Sequence, residues 1–449
     1  MAGTIWNLIK FHLAFCGGGD RLPTIRLIGS LIGDKAVNGY LFGGRKQVLR
    51  MSGLALMLLA AAGAFGDDWA QWRGPTRDGV SAEKGWSSSW PKGGPKVLWK
   101  ARVGTGASSL AIAGGRVFTM GNTGLSDKEN KNEDTVWCLN ADTGEVIWKY
   151  SYPQPCEPSG FEGGPCVAPC VDGNFVYTQN KRGRVWCFEA ATGKVVWDSD
   201  PEQQVGKGVI WGGVASSPLV EGNLLIAGSR AFDKTTGKVV WTAKNGCTWA
   251  SPLPFMQAGK RHIAFFSQRG LAAVNPADGT EVWFFPWPSD QNVADPVFWN
   301  DKVFLSSRRL KTADEQCALL QPGEAEGQVA WKNGNLMSYF HVRVLWQDHV
   351  YGCDEQGLTC LDLKTGDVKW SQKGLARGQL IVSDGRLLVM VAGTLVVAEA
   401  TPLGYKELAR AAVVNGQTSV APVLSGGRIY CRGAKGDVVA LDVSTAEAR

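Results

Sequence analysis

The stretch Cys187-Phe-Glu-Ala-Ala-Thr-Gly-Lys-Val-Val-Trp197 is one copy of an eleven-residue unit that recurs along the chain, with further copies beginning at Cys138, Ala231, Ala273 and Cys360. A small residue opens each copy, an Asp, Asn or Glu follows two positions later, Gly holds the seventh place and Trp the eleventh. The pattern predicts a hairpin, because Gly accepts the positive φ of a tight turn. The second strand of that hairpin delivers its Trp onto a buried surface.

The tryptophans of these units are spaced 39 to 49 residues apart, which is the length of one four-stranded propeller blade. The fifth unit keeps only Gly327 and Trp331 in their places, and Leu408 replaces the Trp of the seventh. We therefore predict an all-β propeller whose structural docking residues are Trp99, Trp148, Trp197, Trp241, Trp283, Trp331 and Trp370.

Closure of the ring is predicted from the two ends of the repeat region. The eighth unit, 440–445, stops where its Trp strand should begin, and Val97-Leu98-Trp99 is a Trp strand with no repeat before it. Pairing the two would remove an exposed sheet edge and gives eight blades. Prolines mark the first residue of the inner strands, where no ladder hydrogen bond is lost: Pro169, Pro218, Pro252, Pro296 and Pro422.

Four segments precede or make up this domain. Residues 45–66 combine basic residues, an apolar run and small residues, which is typical of a secretory signal peptide; a buried helix is the alternative. Residues 1–44 are then a mis-assigned start or a disordered leader. Residues 67–94 are predicted to be an irregular arm laid across the domain and anchored by its tryptophans, and 95–449 form the propeller. The anchors are Trp69, Trp72, Trp86 and Trp90.

Charge and composition limit the possible partners. The net charge of +6 arises mainly in residues 1–50, which have a net charge of +5. The nearly neutral remainder argues against nucleic-acid binding by phosphate neutralisation. The apolar run is short for a membrane span, so we expect no span after signal cleavage, and a monomer. The 11 cysteines are mostly expected as buried apolar residues, although a disulfide between Cys353 and Cys360, or between Cys166 and Cys170, stays open.

No catalytic or metal-binding motif is present. The histidines at 12, 262, 341 and 349 are scattered and are interpreted as structural. The acidic residues of 127–134 and of Asp354-Glu355 are interpreted as solvated loops. The turn after the second strand carries an arginine in four successive blades, which suggests a cationic half-face for a carboxylate, an acidic glycan or an acidic peptide. These candidate ligand-binding residues are Arg182, Arg230, Arg269 and Arg308.

The eleven-residue units, over roughly residues 95–445, resemble the tryptophan-docking motif of the pyrroloquinoline quinone (PQQ)-like eight-bladed propellers. The opening Asp68-Trp-Ala-Gln-Trp-Arg-Gly-Pro75 also resembles that of secreted propellers of planctomycete and verrucomicrobial type. The resemblance implies either a quinoprotein alcohol dehydrogenase or a non-catalytic relative. The enzymes typically hold the quinone between a Trp and a disulfide of adjacent cysteines, bind calcium, and use an Asp as base. This chain has no adjacent cysteine pair and no Cys-x-x-Cys-His motif.

These observations favour a non-catalytic, exported binding scaffold of the periplasm or cell surface, for an envelope protein, a peptide or a glycan. No catalytic residue, metal or cofactor is expected in that case. The alternative is a PQQ-dependent oxidoreductase, with PQQ and calcium as its cofactors.

The signal-peptide interpretation is tested by sequencing the amino terminus of the exported protein. We expect the mature chain to begin at Asp67 or Asp68, because the small-residue exit ends near Gly66. An exported chain that retains Ala2 to Gly44 would show that this interpretation is wrong.

Overall fold

A computed structural model of the chain describes residues 68–124, 132–158, 161–199, 213–246, 249–289, 291–308, 315–323 and 327–445. All of them belong to one compact unit that spans 62–449. The predicted leader and signal peptide lie outside the described residues. Within the described part of the chain, no helix has the length and apolar character needed to cross a membrane.

The described strands form eight sheets, which are the blades of an eight-bladed β-propeller and whose repeat strands pair antiparallel. Two strands precede the repeats: β1 (Val80–Ser81) and β2 (Lys96–Arg102). Blade 1 is β3 (Ala111–Ala113), β4 (Arg116–Asn122), β5 (Glu133–Asn140) and β6 (Val146–Pro153); blade 2 is β7 (Cys170–Asp172), β8 (Phe175–Gln179), β9 (Val185–Glu189) and β10 (Val195–Asp198). Blade 3 is β11 (Leu219–Glu221), β12 (Leu224–Ala227), β13 (Arg230–Asp233) and β14 (Val239–Thr242); blade 4 is β15 (Leu253–Gln257), β16 (Lys260–Ser267), β17 (Gly270–Val274) and β18 (Glu281–Pro286).

The second half of the ring repeats the arrangement. Blade 5 is β19 (Val297–Trp299), β20 (Lys302–Ser306), β21 (Cys317–Gln321) and β22 (Gln328–Asn333); blade 6 is β23 (Arg343–Trp346), β24 (His349–Cys353), β25 (Gly357–Asp362) and β26 (Val368–Lys373). Blade 7 is β27 (Gln379–Ser383), β28 (Arg386–Val391), β29 (Thr394–Glu399) and β30 (Glu407–Ala412), with β1 added in parallel to β27. Blade 8 is β31 (Val423–Ser425), β32 (Arg428–Arg432) and β33 (Asp437–Asp442), completed by β2.

The predicted closure of the ring is confirmed. Strand β2 pairs antiparallel with β33, so that Lys96 lies opposite Asp442 and Arg102 opposite Asp437. The first repeat strand thus forms the outer edge of the last blade, and all eight sheets have four repeat strands. The five marker prolines each stand immediately before a first strand, as expected from their missing backbone donor.

Neighbouring blades are joined by tryptophans that reach from the outer strand of one blade to the turn of the next. Trp148 illustrates the contact: its indole N–H donates to the carbonyl of Ala190 at 2.9 Å. The same bond joins Trp99 to Ala141 (2.9 Å), Trp197 to Lys234 (3.0 Å), Trp241 to Pro276 (3.0 Å), Trp331 to Leu363 (3.0 Å) and Trp370 to Thr401 (2.7 Å). Each bond therefore fixes the position of one blade relative to the next.

The glycine of the repeat lies directly beneath this indole. A Cβ at Gly193 would come within 2.5 Å of the Trp148 ring, and Gly193 has a φ of 73°. The acidic or amide residue of the unit closes the same turn, since the Asp233 carboxylate accepts the N–H groups of Thr235 and Thr236. The recurring spacing of the unit thus has one cause. Its turn must be tight, and it must have no side chain at the glycine, so that the indole of the preceding blade can pack against it.

Trp283 departs from this arrangement. Its indole N–H donates to the side chain of Gln257 in its own blade, at 2.8 Å. The next unit along the chain is the degenerate fifth one, which keeps Gly327 but has Glu326 in place of Thr and Gly323 in place of the acidic or amide residue. The altered sequence of this unit therefore accompanies the loss of the inter-blade bond.

Replacing Gly193 by Ala tests the docking contact, with Gly173→Ala in the same blade as the matched control. Both glycines have positive φ, but a Cβ at Gly173 meets nothing within 4 Å. Backbone strain should cost each variant about 1 kcal/mol, and the clash with Trp148 should add about 1–3 kcal/mol to Gly193→Ala alone. Urea unfolding of the two variants measures the difference. Equal unfolding midpoints would show that the indole does not depend on the flat glycine surface.

Candidate functional site

The loops that enter the first strands of all eight blades converge on one face of the propeller, which we call the funnel face. They surround a cavity of about 620 Å³, the funnel. Each blade contributes at least one wall residue: Ala107, Cys166, Ser217, Ser251, Asp295, His341, Arg377 and Thr418, in blade order. This convergence is what makes the funnel the principal candidate for a binding site, because concave sites of this size are the usual form of small-ligand sites.

The N-terminal arm forms the floor of the funnel. It begins beside blade 1, where Trp69 makes a two-way backbone bridge with Ile112. It leaves beside blade 7, where Val80 pairs in parallel with Val382. Between these points it also bonds to blades 2, 3, 5 and 6, through the pairs Ala70–Val171, Arg77–Pro218, Trp72–Asp295 and Arg73–Arg343.

The predicted arm thus lies across the domain between the inner strands of the blades. The reason is local: the arm reverses direction at Arg73, Gly74, Arg77 and Gly79, all of which have positive φ. The reversal places Trp72 and Arg73 at the top of the loop, facing the funnel. Of the predicted anchors, Trp69 and Trp86 are buried, whereas Trp72 and Trp90 are partly buried.

Charged groups hold the floor together. Asp295 accepts the Trp72 indole N–H at 2.6 Å and the backbone N–H of Ser251 at 2.7 Å. It also forms an ion pair with Arg73 at 3.7 Å. Arg73 donates in turn to the carbonyl of Arg343 at 2.7 Å. Both oxygens of the one carboxylate are thereby engaged within the protein.

Arg343 is the most deeply buried cation of the floor. Its guanidinium donates to the carbonyls of Ser306, at 3.1 Å, and Asp295. Burial, together with the nearby Arg73 cation, lowers the pKa of Arg343 to about 9, so that it stays charged at neutral pH. Two guanidinium groups and one carboxylate leave the floor with an excess of positive charge.

His341 lies in the wall just above this floor. It is fully buried, and neither ring nitrogen has a hydrogen-bond partner among the described residues. Burial, reinforced by the cations of Arg377 and Arg343, lowers the pKa of His341 to about 3. The imidazole is therefore neutral at physiological pH and offers one donor and one acceptor. The sequence did not predict that His341 lines the funnel. Its position depends on how the loop before β23 folds, and no sequence motif marks that loop.

Two further arginines stand higher on the wall. Arg377 donates to the carboxylate of Glu355 at 2.6 Å. Arg308 lies over the ring of Tyr339, with 5.8 Å between the guanidinium carbon and the ring centroid. Within the described part of the chain, no carboxylate pairs with Arg308. Arg308 is thus the wall cation that can still take an anion.

The four arginines predicted from the sequence are separated by the structure. Arg308 lines the funnel. Arg182 stands in an exposed turn after β8, Arg230 opens β13, and Arg269 donates to Asn245 at 3.2 Å. None of these three is among the described residues that line the funnel. Their role in ligand binding stays a prediction.

Other residues differ from the sequence interpretation. Cys353, Cys360, Cys166 and Cys170 are all free thiols, so neither suggested disulfide forms. Cys353 lies opposite Leu358 and Cys360 opposite Tyr351, which places the first pair diagonally across two strands.

Asp134 is not in a solvated loop, because it lies within β5 and is fully buried. Burial raises the pKa of Asp134 to about 6, against the opposing effect of the hydrogen bond from Asn122. Its neighbour in the chain, the 127–131 segment, lies outside the described residues.

The funnel does not fit the quinone and calcium site that the resemblance implies. Its lining includes Trp249 and the single thiol Cys166, but no disulfide of adjacent cysteines. Calcium needs several free carboxylate or amide oxygens. Of the three carboxylates in the lining, Asp295 is bonded to the arm and Glu355 to an arginine, which leaves Glu162 alone. Among the described residues, no three His, Cys, Asp or Glu side chains converge as possible metal ligands.

The family model described as outer membrane protein assembly factor BamB matches residues 132–372. The chain belongs to this family. The BamB family match also confirms the resemblance to PQQ-like propellers read from the tryptophan units. No curated protein sequence matches the chain.

Solved structures share the fold of this BamB family member at low sequence identity. BamB from Moraxella catarrhalis is 14% identical, with a TM-score of 0.56, and the match covers 78% of this chain and 99% of that one. The quinohemoprotein alcohol dehydrogenase from Comamonas testosteroni is 14% identical, with a TM-score of 0.60 and coverages of 87% and 82%. The computationally designed Ika8 protein is 13% identical, with a TM-score of 0.55 and coverages of 77% and 99%. At these identities the likeness shows the fold alone.

The buried His341 predicts an acid-dependent loss of stability. Its pKa is lowered from 6.5 to about 3, so between these values the unfolded chain takes up a proton that the folded one refuses. Its contribution to the free energy of unfolding therefore falls by about 1.4 kcal/mol per pH unit as the pH drops below about 6.5. His341→Asn removes this term, so the variant should gain about 2 kcal/mol relative to the wild type between pH 7 and pH 5.

Denaturant unfolding of both proteins at pH 8, 7, 6 and 5 measures this gain. The comparison at pH 8, where the histidine is neutral in both states, gives the packing cost of the substitution by itself. The opposite slope from Asp134, whose raised pKa favours the folded state at low pH, is present in both proteins and cancels. A difference that does not change with pH would contradict the burial of a neutral imidazole.

Proposed function

We propose that this protein is an exported, non-catalytic binding module of the cell envelope, which receives part of a protein, a peptide or a glycan in its funnel. The observation that carries the proposal is the funnel itself, a concave site of about 620 Å³ to which all eight blades contribute and whose floor is built by the chain's own arm. Such a site combines apolar walls with a few placed polar groups, which is the usual design of a binding pocket.

The chemistry of the lining supports binding without turnover. Of the three lining carboxylates, Asp295 is bonded on both oxygens and Glu355 is paired with Arg377. This leaves Glu162, which has no second carboxylate or histidine partner for acid–base work among the described residues of the lining. A general base must reach the proton that it abstracts, and a carboxylate held by its own arginine and indole is poorly placed to do so. His341, with a pKa lowered to about 3, is a weak base. The groups of the funnel are therefore suited to recognition.

Location in the envelope is part of the proposal. It is supported by the signal-peptide pattern of residues 45–66 and by membership of a family described as an outer membrane protein assembly factor. The quinohemoprotein dehydrogenase shares the fold, but a shared fold does not carry a function with it. The hypothesis that the protein is a quinoprotein dehydrogenase is therefore tested alongside the proposed function.

Binding in the funnel is tested with Ala215→Trp, which places an indole in the wall of the funnel. Ala277→Trp, in an exposed turn outside the funnel lining, is the matched control. We expect the wild-type protein to bind members of a glycan array or of an acidic-peptide array. Ala215→Trp should weaken that binding at least tenfold, whereas Ala277→Trp should change it less than twofold.

The enzyme reading is tested on the same three proteins with PQQ and Ca²⁺. We expect no stoichiometric change in the quinone absorbance and no dye-linked oxidation of alcohols. Tight quinone binding with turnover would overturn the proposal. Failure to bind anything on either array, or equal binding by wild type and Ala215→Trp, would overturn it as well.

A further inference from the structure

From three properties of the funnel lining we infer that its ligand is an acidic sugar, either alone or at the end of a glycan chain. Aromatic faces would carry the sugar rings, unpaired buried polar atoms would bond the hydroxyls, and Arg308 would hold the carboxylate. This inference rests on the proposed function, because it names the ligand class of the same site.

Aromatic rings supply the first property. Rings line the funnel from the arm and from blades 2, 4 and 6: Trp72, Phe161, Trp249, Tyr339 and Phe340. Trp249 is fixed in place, since its indole N–H donates to the carbonyl of Gly213 at 3.1 Å. The face of such a ring is apolar and carries partial negative charge, and it therefore suits the C–H face of a sugar ring.

Unpaired polar atoms supply the second property. Besides both nitrogens of His341, the side-chain oxygens of Gln291 and Thr418 are buried without a hydrogen-bond partner among the described residues. Buried polar atoms are normally paired, since leaving one unpaired costs about 1–3 kcal/mol.

These unpaired atoms are not of one kind. The Gln291 oxygen only accepts, whereas the neutral His341 ring and the Thr418 hydroxyl can each donate and accept. A ligand that both donates and accepts at several points is required to satisfy them. Sugar hydroxyl groups do both, but a ligand whose polar groups are all carboxylates and carbonyls can only accept.

Charge supplies the third property. The lining contains four guanidinium groups, of Arg73, Arg308, Arg343 and Arg377, and three carboxylates, of Glu162, Asp295 and Glu355, so one positive charge is in excess. Arg73 and Arg343 are held at the floor, and Arg377 is held by Glu355. Arg308 remains and lies over the ring of Tyr339, whereas Glu162 lines the funnel from the loop before blade 2 and, among the described residues, forms no ion pair with Arg308. A carboxylate there would gain a charge-assisted hydrogen bond.

The test uses two pairs of probes that differ in charge: trigalacturonate against trigalactose, and sialyllactose against lactose. Isothermal titration and tryptophan fluorescence report binding to the full mature chain. Arg308→Met removes the cation and keeps an apolar contact with Tyr339, whereas Arg308→Lys restores the charge. Arg182→Met removes a predicted arginine on the same face of the propeller, outside the funnel lining, and is the matched control.

We expect at least one acidic probe to bind at a ratio of one to one, at least tenfold more tightly than its neutral counterpart. Arg308→Met should weaken that binding at least tenfold, as loss of a charge-assisted bond implies. Arg308→Lys should recover part of the loss, and Arg182→Met should change the affinity less than twofold. Unchanged melting curves for the Arg308 variants would separate loss of binding from loss of fold.

Other results would overturn the inference in distinguishable ways. Equal affinity for acidic and neutral probes, or equal effects of Arg308→Met and Arg182→Met, would show that Arg308 does not bind a carboxylate of the ligand. Binding of an acidic peptide in the funnel, with no binding of either acidic sugar, would show that the ligand is not an acidic sugar. The proposed function would not be affected. If neither sugars nor peptides bind, both the inference and the proposed function fail.

Discussion

The seating of a tryptophan on the flat glycine turn of the next blade is the contact on which the rest of the molecule depends. Every docking indole except that of Trp283 donates to a carbonyl in the turn of the next blade, as Trp148 does to Ala190. Together with the apolar side chains packed between the faces of neighbouring blades, these bonded indoles help to set the angle between successive sheets. That angle decides how many sheets fill a circle, and hence whether eight inner loops meet around a space wide enough to be a binding site.

The arm closes one end of the space between the blades and so gives the funnel its floor. Without residues 68–81, the inner strands would surround a channel with no floor. The arm places Trp72 and Arg73 between the blades and ties them to Asp295 and Arg343. Buried ion pairs of this kind add little net stability, because desolvation offsets much of the attraction. Their contribution here is positional, since they fix which groups face the funnel.

Much of the fold is contained in the sequence because the repeat is local. The turn glycine, the capping Asp or Asn and the tryptophan all lie within eleven residues, and the same spacing recurs in the next unit, which receives that tryptophan. The closure of the ring could be predicted for the same reason: Val97-Leu98-Trp99 matches the strand that the last unit lacks. The site is different. Arg308 was visible from its turn, but His341 and the arm reach the funnel through long-range contacts that no local pattern encodes. Trp72 meets Asp295 across 223 positions of the chain.

The pairing of β2 with β33 also has a consequence for how the molecule is made. Lys96–Arg102 is translated before the seven intervening blades, and its partner Asp437–Asp442 only after them. Contacts between such distant segments form slowly, because the entropy cost of closing a long loop comes before the favourable energy of the contacts. Throughout that interval an unpaired strand is open to the wrong neighbour. The β2–β33 pairing that closes the finished propeller therefore leaves β2 without its partner, and exposed to aggregation, while the chain is being made.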